Sequence, residues 1–270
     1  MFLTRVRTGF LLLFVGCLFL SLSHIPAVLL LGMSALAALA MAELAEPLGM
    51  KKPVMALGGG ALCLLVSHAD QLLLIICLGV LFLAYLVVCW LMMTALPHKK
   101  EFRIPEIILL ILAVPVFVGT ACQLRQREAG LYTLMLPVLV CAATDTFAYF
   151  VGRRLGKHSL APHISPKKTL EGALGGGVLA LVLLVAVGIG LQWLGLAQVR
   201  MELLCLYTLT ASAVGQFGDL CLSAVKRVAG IKDFGDVLPG HGGILDRMDS
   251  CMLALPYTYL FIACFGSIFK

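Results

Sequence analysis

The residues best suited to chemistry lie in a polar stretch at positions 218–250 of an otherwise apolar chain. The apolar segment before this stretch predicts a helix. If that helix continues past the membrane surface, four polar residues fall on one face, at spacings i, i+4, i+7 and i+8. These residues are Asp219, Ser223, Lys226 and Arg227. One carboxylate, one hydroxyl and two cations would then point in the same direction.

A glycine-rich turn, Pro-Gly-His-Gly-Gly at 239–243, follows in the same stretch, and a helix start is predicted directly after it at 244–249. Glycines allow the backbone to approach an anion closely, and free amide groups at a helix N-terminus favour phosphate. Asp246 and Asp249 lie at i and i+3 in that first turn, on one face. With Asp219 they would form an all-oxygen magnesium site, because this ion is typically held by one or two carboxylates, water and substrate phosphates.

Each of these residues also has a purely structural interpretation. Acidic side chains in the first turn of a helix, and basic side chains after its last turn, are ordinary choices for the helix dipole and the membrane interface. Three carboxylates and several cations around one glycine turn nevertheless favour a phosphate and metal site. The remaining candidates in this stretch are Lys232, His241, Gly242, Gly243 and Arg247.

A carboxylate, Asp145, lies inside an earlier apolar segment, about 9 Å from its end at 1.5 Å per residue. An unpartnered carboxylate at the centre of a bilayer costs about 2.5–3.5 kcal/mol, and less away from the centre. The sequence therefore predicts a partner, either a bound cation or a loop lysine or arginine. A hydrogen bond to a neighbouring helix is the alternative.

The loop at 152–171 carries five cations. Ser165, followed by a proline, is predicted to cap the next helix. Lys167, Lys168 and Thr169 would then lie at a helix N-terminus, which is also an anion site. Ordinary loop charge next to a helix cap explains the same residues equally well.

The elements that carry these residues must be membrane helices. The chain has 270 residues, of which 61% are hydrophobic and 13% charged, with a mean hydropathy of +1.04. This composition excludes a soluble globular domain, a disordered chain and a fibrous repeat. The net charge of +6 then indicates basic loops beside a lipid bilayer and not a nucleic-acid partner. The ten cysteines are interpreted as packing residues, since they lie mostly singly in apolar runs.

The hydropathy pattern predicts an all-α, polytopic membrane protein with about nine transmembrane helices. The third segment is short and contains three consecutive glycines, which indicates a tilted or broken helix packed inside the bundle. The predicted spans are 8–23, 27–45, 53–67, 71–96, 104–120, 131–151, 172–192, 201–222 and 250–269.

Alternating these segments across the bilayer places sixteen of the twenty lysines and arginines on the side of the N-terminus. This bias predicts a cytoplasmic N-terminus and a C-terminus on the opposite side of the cell inner (cytoplasmic) membrane. We expect about five N-terminal transmembrane helices in 1–130. A catalytic transmembrane region should follow in 131–270, with long cytoplasmic loops at 152–171 and 223–249.

Two series of residues in the C-terminal half resemble one known family. The first is Ser223, Lys226, Arg227, Lys232, Asp233, Pro239, His241, Gly242, Gly243, Asp246, Arg247 and Asp249. The second is Asp145, Tyr149, Gly152, Gly156, Lys157, Ser165, Pro166, Lys168, Thr169, Glu171 and Gly172. At these positions the sequence resembles the phosphatidate cytidylyltransferases, also called CDP-diglyceride synthases. The first 130 residues match only in being membrane spans.

The resemblance implies an enzyme that converts CTP and phosphatidic acid into CDP-diacylglycerol and pyrophosphate with magnesium. It implies acidic metal ligands, for which Asp219, Asp246 and Asp249 are the positions that fit. It also implies a homodimer, and it leaves open a second, monovalent ion. The predicted catalytic residues are Asp219, Lys226, Arg227, Lys232, Asp246 and Asp249. The predicted substrate-binding residues are Asp145, Ser165, Lys167, Lys168, Thr169, Ser223, His241, Gly242, Gly243 and Arg247.

Two other functions are compatible with these polar residues. One is a different membrane phosphotransferase, such as a lipid kinase or a CDP-alcohol phosphotransferase, although the D-G-x-x-A-R motif of the latter is absent from the sequence. The other is a transporter for an anionic solute. Transporters usually have repeated halves with paired broken helices, whereas the polar positions here crowd into one half of the chain.

Overall fold

The computed structural model describes residues 2–95, 102, 104–127, 129–238 and 242–269. In these residues the chain forms nine α-helices and one antiparallel pair of short strands. The helices are α1 (Phe2–Leu22), α2 (Pro26–Ala45), α3 (Lys52–Ser67), α4 (Gln71–Ala95), α5 (Ile104–Arg125), α6 (Gly130–Leu155), α7 (Leu170–Trp193), α8 (Met201–Val228) and α9 (Leu245–Phe265). The strands are β1 (Ser159–Ala161) and β2 (Ser165–Thr169).

Six helices are long and apolar enough to cross a bilayer, namely α2, α4, α5, α6, α7 and α9. Helix α3 has only 16 residues, fewer than the roughly 17–25 that a span needs. The described residues thus form a mostly helical, multi-pass membrane protein. The number of nine spans and the orientation stay predictions. Four basic residues of the orientation argument, Lys99, Lys100, Arg103 and Lys270, lie outside the described residues.

Helix α3, the segment with three consecutive glycines, is continuous and packs against α2. A Cβ atom on Gly59 would lie 2.4 Å from the side chain of Met41, and the Ser34 hydroxyl donates a hydrogen bond to the Gly60 carbonyl at 2.9 Å. These glycines let the two helices approach closely, as small residues do in membrane bundles. Packing of the third segment was predicted correctly, and its glycines do not break the helix.

The chain divides into two compact units that interleave along the sequence. Unit 1 consists of Met1–Val88, Lys99–Gln123 and Val225–Asp249. Unit 2 consists of Cys89–His98, Leu124–Ala224 and Ser250–Lys270. Helices α8 and α9 each supply residues to both units. The predicted division of the chain at residue 130 concerns function and stays a prediction.

Unit 1 is held together by apolar packing and by one buried amide side chain. Gln123 on α5 donates hydrogen bonds to the carbonyl groups of Val66 and Ser67 at 3.2 and 3.0 Å. The rings of Tyr85 and Phe117 meet edge to face with centroids 5.5 Å apart. Because buried amides need partners, Gln123 ties the end of α3 to α5.

Unit 2 has a core in which buried hydroxyl groups pair with each other. The Tyr207 hydroxyl lies 2.6 Å from the Thr258 hydroxyl, and Thr144 donates to Ser212 at 2.9 Å. Such pairs satisfy polar groups that have no access to water. All ten cysteines of the chain are free.

Strands β1 and β2 form a hairpin in the loop that precedes α7, with Ser159 paired to Thr169 and Ala161 to Ser165. The prediction that Ser165 caps α7 is wrong, since Ser165 opens β2 instead. Thr169 is the residue before the helix, and its hydroxyl accepts the Gly172 amide at 3.1 Å. The capping hydroxyl thus lies four residues later than expected, and Lys167 lies on a strand.

Candidate functional site

Asp246, in the first turn of α9, is a centre of hydrogen bonding in unit 1. Its Oδ1 atom accepts from the Lys226 ammonium at 2.8 Å. Its Oδ2 atom accepts the backbone amides of Phe234 and Gly243 at 2.8 and 3.1 Å. Only 7% of the residue is exposed. The carboxylate therefore joins the end of α8, the loop at 231–238 and the glycine turn.

Lys226 is positioned by a ring as well as by a carboxylate. Its ammonium lies 5.4 Å from the centroid of Phe234, within the range of a cation–π contact. Helix α8 ends only at Val228, which confirms the predicted continuation of this helix past its apolar segment. Lys226 is thus on the last turn of a regular helix, where a cation also interacts favourably with the helix dipole.

Glu43, on α2, caps the start of α9 from a distant part of the sequence. Its Oε1 atom accepts the Ile244 amide at 2.8 Å and its Oε2 atom the Leu245 amide at 2.9 Å. The residue is 6% exposed. With the Gly243 amide bound to Asp246, the amides of three consecutive residues are occupied. The expectation of free, phosphate-binding amides at this helix start is therefore wrong for residues 243–245.

A second cluster of charged residues lies in unit 2. The Lys168 ammonium contacts Oδ2 of Asp219, and the Ser223 hydroxyl donates to Oδ1 of Asp219 at 3.2 Å. The Asp219 side chain is 17% exposed and that of Lys168 30%. Strand β2 thus presents a lysine to α8, and the i, i+4 spacing on α8 brings the serine to the same carboxylate.

Asp145 belongs to the same cluster. The Ser250 hydroxyl donates to its Oδ2 atom at 2.8 Å, and Asp219 and Lys168 are both close enough to interact with it electrostatically. The hydrogen bond from Ser250 on α9 to Asp145 on α6 is the contact between helices that was the alternative interpretation. A loop lysine, Lys168, is nearby as well. Asp145 also retains exposed surface, so that a ligand can reach it.

A sequence profile described as the cytidylyltransferase family matches residues 3–265. The chain belongs to the cytidylyltransferase family. A protein of Bacillus subtilis (strain 168), named phosphatidate cytidylyltransferase, is 40% identical over 173 residues, which is 62% of each chain. A protein of the same name from Staphylococcus saprophyticus is 43% identical over 141 residues, 52% of this chain and 53% of the relative. The matched region thus spans less than two thirds of either relative.

The described residues of this family member bring two groups of predicted residues together. In unit 1 these are Lys226, Asp246 and Gly243, and in unit 2 they are Asp145, Lys168, Asp219 and Ser223. The remaining predicted cations, Lys167, Arg227, Lys232 and Arg247, are exposed. His241, the histidine of the glycine turn, lies outside the described residues.

Magnesium is the cofactor that the family resemblance implies. In the described part of the chain, no three His, Cys, Asp or Glu side chains form a cluster that could hold a metal. Two carboxylates are sufficient for this ion when substrate phosphates and water complete its shell. The oxygen donors of unit 2, which are the carboxylates of Asp145 and Asp219 and the Ser223 hydroxyl, are of the chemical type that magnesium requires.

Glu43 is the residue near the cluster around Asp246 in unit 1 that sequence reasoning missed. Its position two residues before the end of the predicted span at 27–45 indicates only a side chain that reaches the membrane interface. The signal was the same one that singled out Asp145, since an isolated carboxylate in an apolar helix needs a partner. Nothing in the sequence pattern indicates that the partner amides lie about two hundred residues away, as they do.

Proposed function

We propose that this chain is a phosphatidate cytidylyltransferase, which forms CDP-diacylglycerol and pyrophosphate from CTP and phosphatidic acid. Membership of the cytidylyltransferase family and the names of the relatives support the proposal. Nucleotide would enter from the cytosol, at the cytoplasmic face of the inner membrane. A homodimer, as the resemblance implies, is part of the proposal.

The cluster of Asp145, Lys168, Asp219 and Ser223 is the observation that carries the proposal. It places two carboxylates, a cation and a hydroxyl on helices α6 and α8 and on strand β2 of the loop before α7. Acyl chains of a lipid substrate can remain in the bilayer while its phosphate reaches this polar cluster. A soluble substrate would not need a polar cluster on the helices of a membrane protein.

The reaction joins two anions. A phosphate oxygen of phosphatidic acid attacks the α-phosphorus of CTP, and a new P–O bond forms. The bond from that phosphorus to the oxygen shared with the β-phosphorus breaks, and its electron pair leaves with pyrophosphate. A phosphate monoester has a second pKa of about 6, so that the nucleophile is largely ionised at neutral pH and needs no strong general base.

The main contribution that the side chains of this protein must make to the reaction is positive charge, which lysine and arginine provide. We assign Lys226, Arg227 and Lys232 to the triphosphate and the departing pyrophosphate, where negative charge grows on the leaving oxygens. Lys168 and Lys226 are each paired with a carboxylate, and each can exchange that carboxylate for a phosphate oxygen. Lys167 and Arg247, both exposed, are assigned to substrate phosphate.

For magnesium we retain the ligands predicted from the sequence, Asp219, Asp246 and Asp249, although these three described carboxylates form no metal-holding cluster by themselves. When bound, the ion would screen the repulsion between the two substrates and neutralise charge on the phosphates. Asp246 already accepts three hydrogen bonds, so that its share in metal binding requires Lys226 to move away. Asp145 becomes a further candidate ligand, because its carboxylate is close enough to Asp219 to interact with it electrostatically.

Purified protein in detergent, supplied with CTP, phosphatidic acid and magnesium, tests the proposal. We expect pyrophosphate and a cytidylylated lipid in equal amounts. Reactions with diacylglycerol in place of phosphatidic acid serve as the control. Release of CDP in place of pyrophosphate would indicate a lipid kinase. Absence of any product from folded protein would remove the enzymatic proposal and leave the transporter.

A further inference from the structure

Glu43 connects an N-terminal helix to the most polar part of the chain. We infer that it is a positioning residue for nucleotidyl transfer, fixing the geometry of Gly243 and of the first turn of α9. The inference rests on the proposed function for the identity of the reaction. It goes beyond that function because it assigns a role in turnover to a residue within the first 130 positions, where the family resemblance extends only to the presence of membrane spans.

Both oxygens of the Glu43 carboxylate are used. They accept the amides of Ile244 and Leu245 at 2.8 and 2.9 Å, and the residue is 6% exposed. A carboxylate that accepts hydrogen bonds from the first amides of a helix also interacts favourably with the positive end of the helix dipole. Geometry and charge thus both hold the start of α9 in one place.

Two glycines make room for this carboxylate. A Cβ atom on Gly243 would lie 2.5 Å from Oε2 of Glu43, and one on Gly235 would lie 3.1 Å from Oε1. The loop and the turn therefore both pack closely around the same side chain. Gly243 is one of the residues on which the family resemblance is based. The close approach of Glu43 explains why this position has no side chain, whereas we expected from the sequence that the glycine makes room for a phosphate.

The effect of Glu43 extends to Asp246 and Lys226. Gly243, the residue before the two capped amides, donates its own amide to Asp246, and Asp246 binds the Lys226 ammonium. A shift of the turn would therefore move the carboxylate that orients this lysine. Misplacement of a reacting group by about 1 Å can cost on the order of 10²-fold in rate, so that a remote helix can control turnover.

Glu43 also closes the helix start to other anions. A free helix N-terminus attracts phosphate. Glu43, which binds the start of α9, also lines a cavity of about 470 Å³ together with Phe234 and Gly235. With the carboxylate in place, the amides of residues 244 and 245 are occupied. The substrate phosphates are thereby left to the lysine and arginine side chains.

The test compares Glu43→Gln with Gln123→Leu. Gln123 is a matched control because it is also buried in unit 1 and also binds backbone groups of another helix. Its hydrogen bonds within the described part of the chain go to Val66, Ser67 and Ala69, which are not predicted site residues. We expect Glu43→Gln to lower kcat by roughly tenfold or more with little change in either KM. Glu43→Asp, which keeps the charge, should recover part of the loss.

Thermal unfolding of each variant separates positioning from simple destabilisation. Equal loss of kcat in Glu43→Gln and Gln123→Leu at matched Tm would overturn the inference, and so would unchanged kcat in Glu43→Gln. Amide hydrogen exchange provides a readout that does not depend on activity. Exchange at residues 243–245 should rise in Glu43→Gln and stay at the wild-type level in Gln123→Leu, and any other result contradicts the role of Glu43. Failure of the wild type to form a cytidylylated lipid would instead contradict the proposed function.

Discussion

The Lys226 ammonium lies 2.8 Å from Oδ1 of Asp246, and the two side chains are only 12% and 3% exposed. The lysine ends one helix and the aspartate begins the next, so that the pair closes the loop between them. The stability of each buried side chain depends on the other, because a buried charge that loses its counter-ion does not regain its hydration by water.

Replacement of the lysine should therefore affect both folding and binding. Lys226→Ala is expected to lower the free energy of unfolding by about 3–5 kcal/mol and to raise the KM for CTP or phosphatidic acid. In a double-mutant cycle, Lys226→Met combined with Asp246→Asn should cost less than the sum of the single changes. Denaturant unfolding in detergent and steady-state kinetics measure the two effects. Additive losses of stability, or unchanged KM for both substrates, would contradict the pairing and the binding role respectively.

Removal of a proposed metal ligand should abolish turnover and leave the helices folded. Asp249→Asn is expected to reduce kcat on the order of 10²-fold, and chelation of divalent ions should silence the wild type until magnesium is restored. Asp70→Asn is the matched control, since Asp70 caps α4 by accepting the Leu72 and Leu73 amides and asparagine caps equally well. Circular dichroism checks the fold. Wild-type activity in Asp249→Asn would take Asp249 out of the metal site.

The position of the cap of α7 can be tested by a pair of hydroxyl deletions. Thr169→Ala should destabilise the protein by about 0.5–2 kcal/mol, because the Gly172 amide loses its acceptor. Ser165→Ala should change stability little, since Ser165 lies on strand β2. Thermal unfolding of both variants measures the difference. The opposite order of stabilities would restore Ser165 as the cap.

A methyl group in the glycine turn should conflict with Glu43. Gly243→Ala is expected to lower both kcat and Tm, because the new Cβ atom would lie 2.5 Å from Oε2 of Glu43. Gly58→Ala is the control within the same unit, since no atom lies within 4 Å of the corresponding position. An alanine at this exposed position of α3 is expected to stabilise by about 0.5–1 kcal/mol. Equal effects of the two substitutions would argue against close packing around Glu43.

The helices were largely predictable because each is encoded locally. Runs of apolar residues predicted all nine helical segments, and the i, i+4 relation between Asp219 and Ser223 survives as a hydrogen bond. The same local reasoning explains why Lys226 was expected on the same helix as Asp219 and Ser223. Such spacings depend only on the geometry of one helix.

The hairpin and the Glu43 contact could not be predicted in this way. Ser165 and the proline after it are typical of a helix start, but pairing of Ser159 with Thr169 favours strands and delays α7 to Leu170. Glu43 meets amides of residues far along the chain, and that meeting depends on how α2 packs beside the loop. Periodicity contains no information about such a register between distant segments.

Synthesis order gives the Glu43 contact a consequence for biogenesis. A ribosome makes α2 well before Ile244, which lies 201 residues after Glu43. While those residues are being made, the carboxylate must therefore remain at the membrane without the two amides that finally bind it. Helix α2 must therefore insert into the membrane before the carboxylate of Glu43 has these two amide partners. The carboxylate gains them only when the start of α9 has been made.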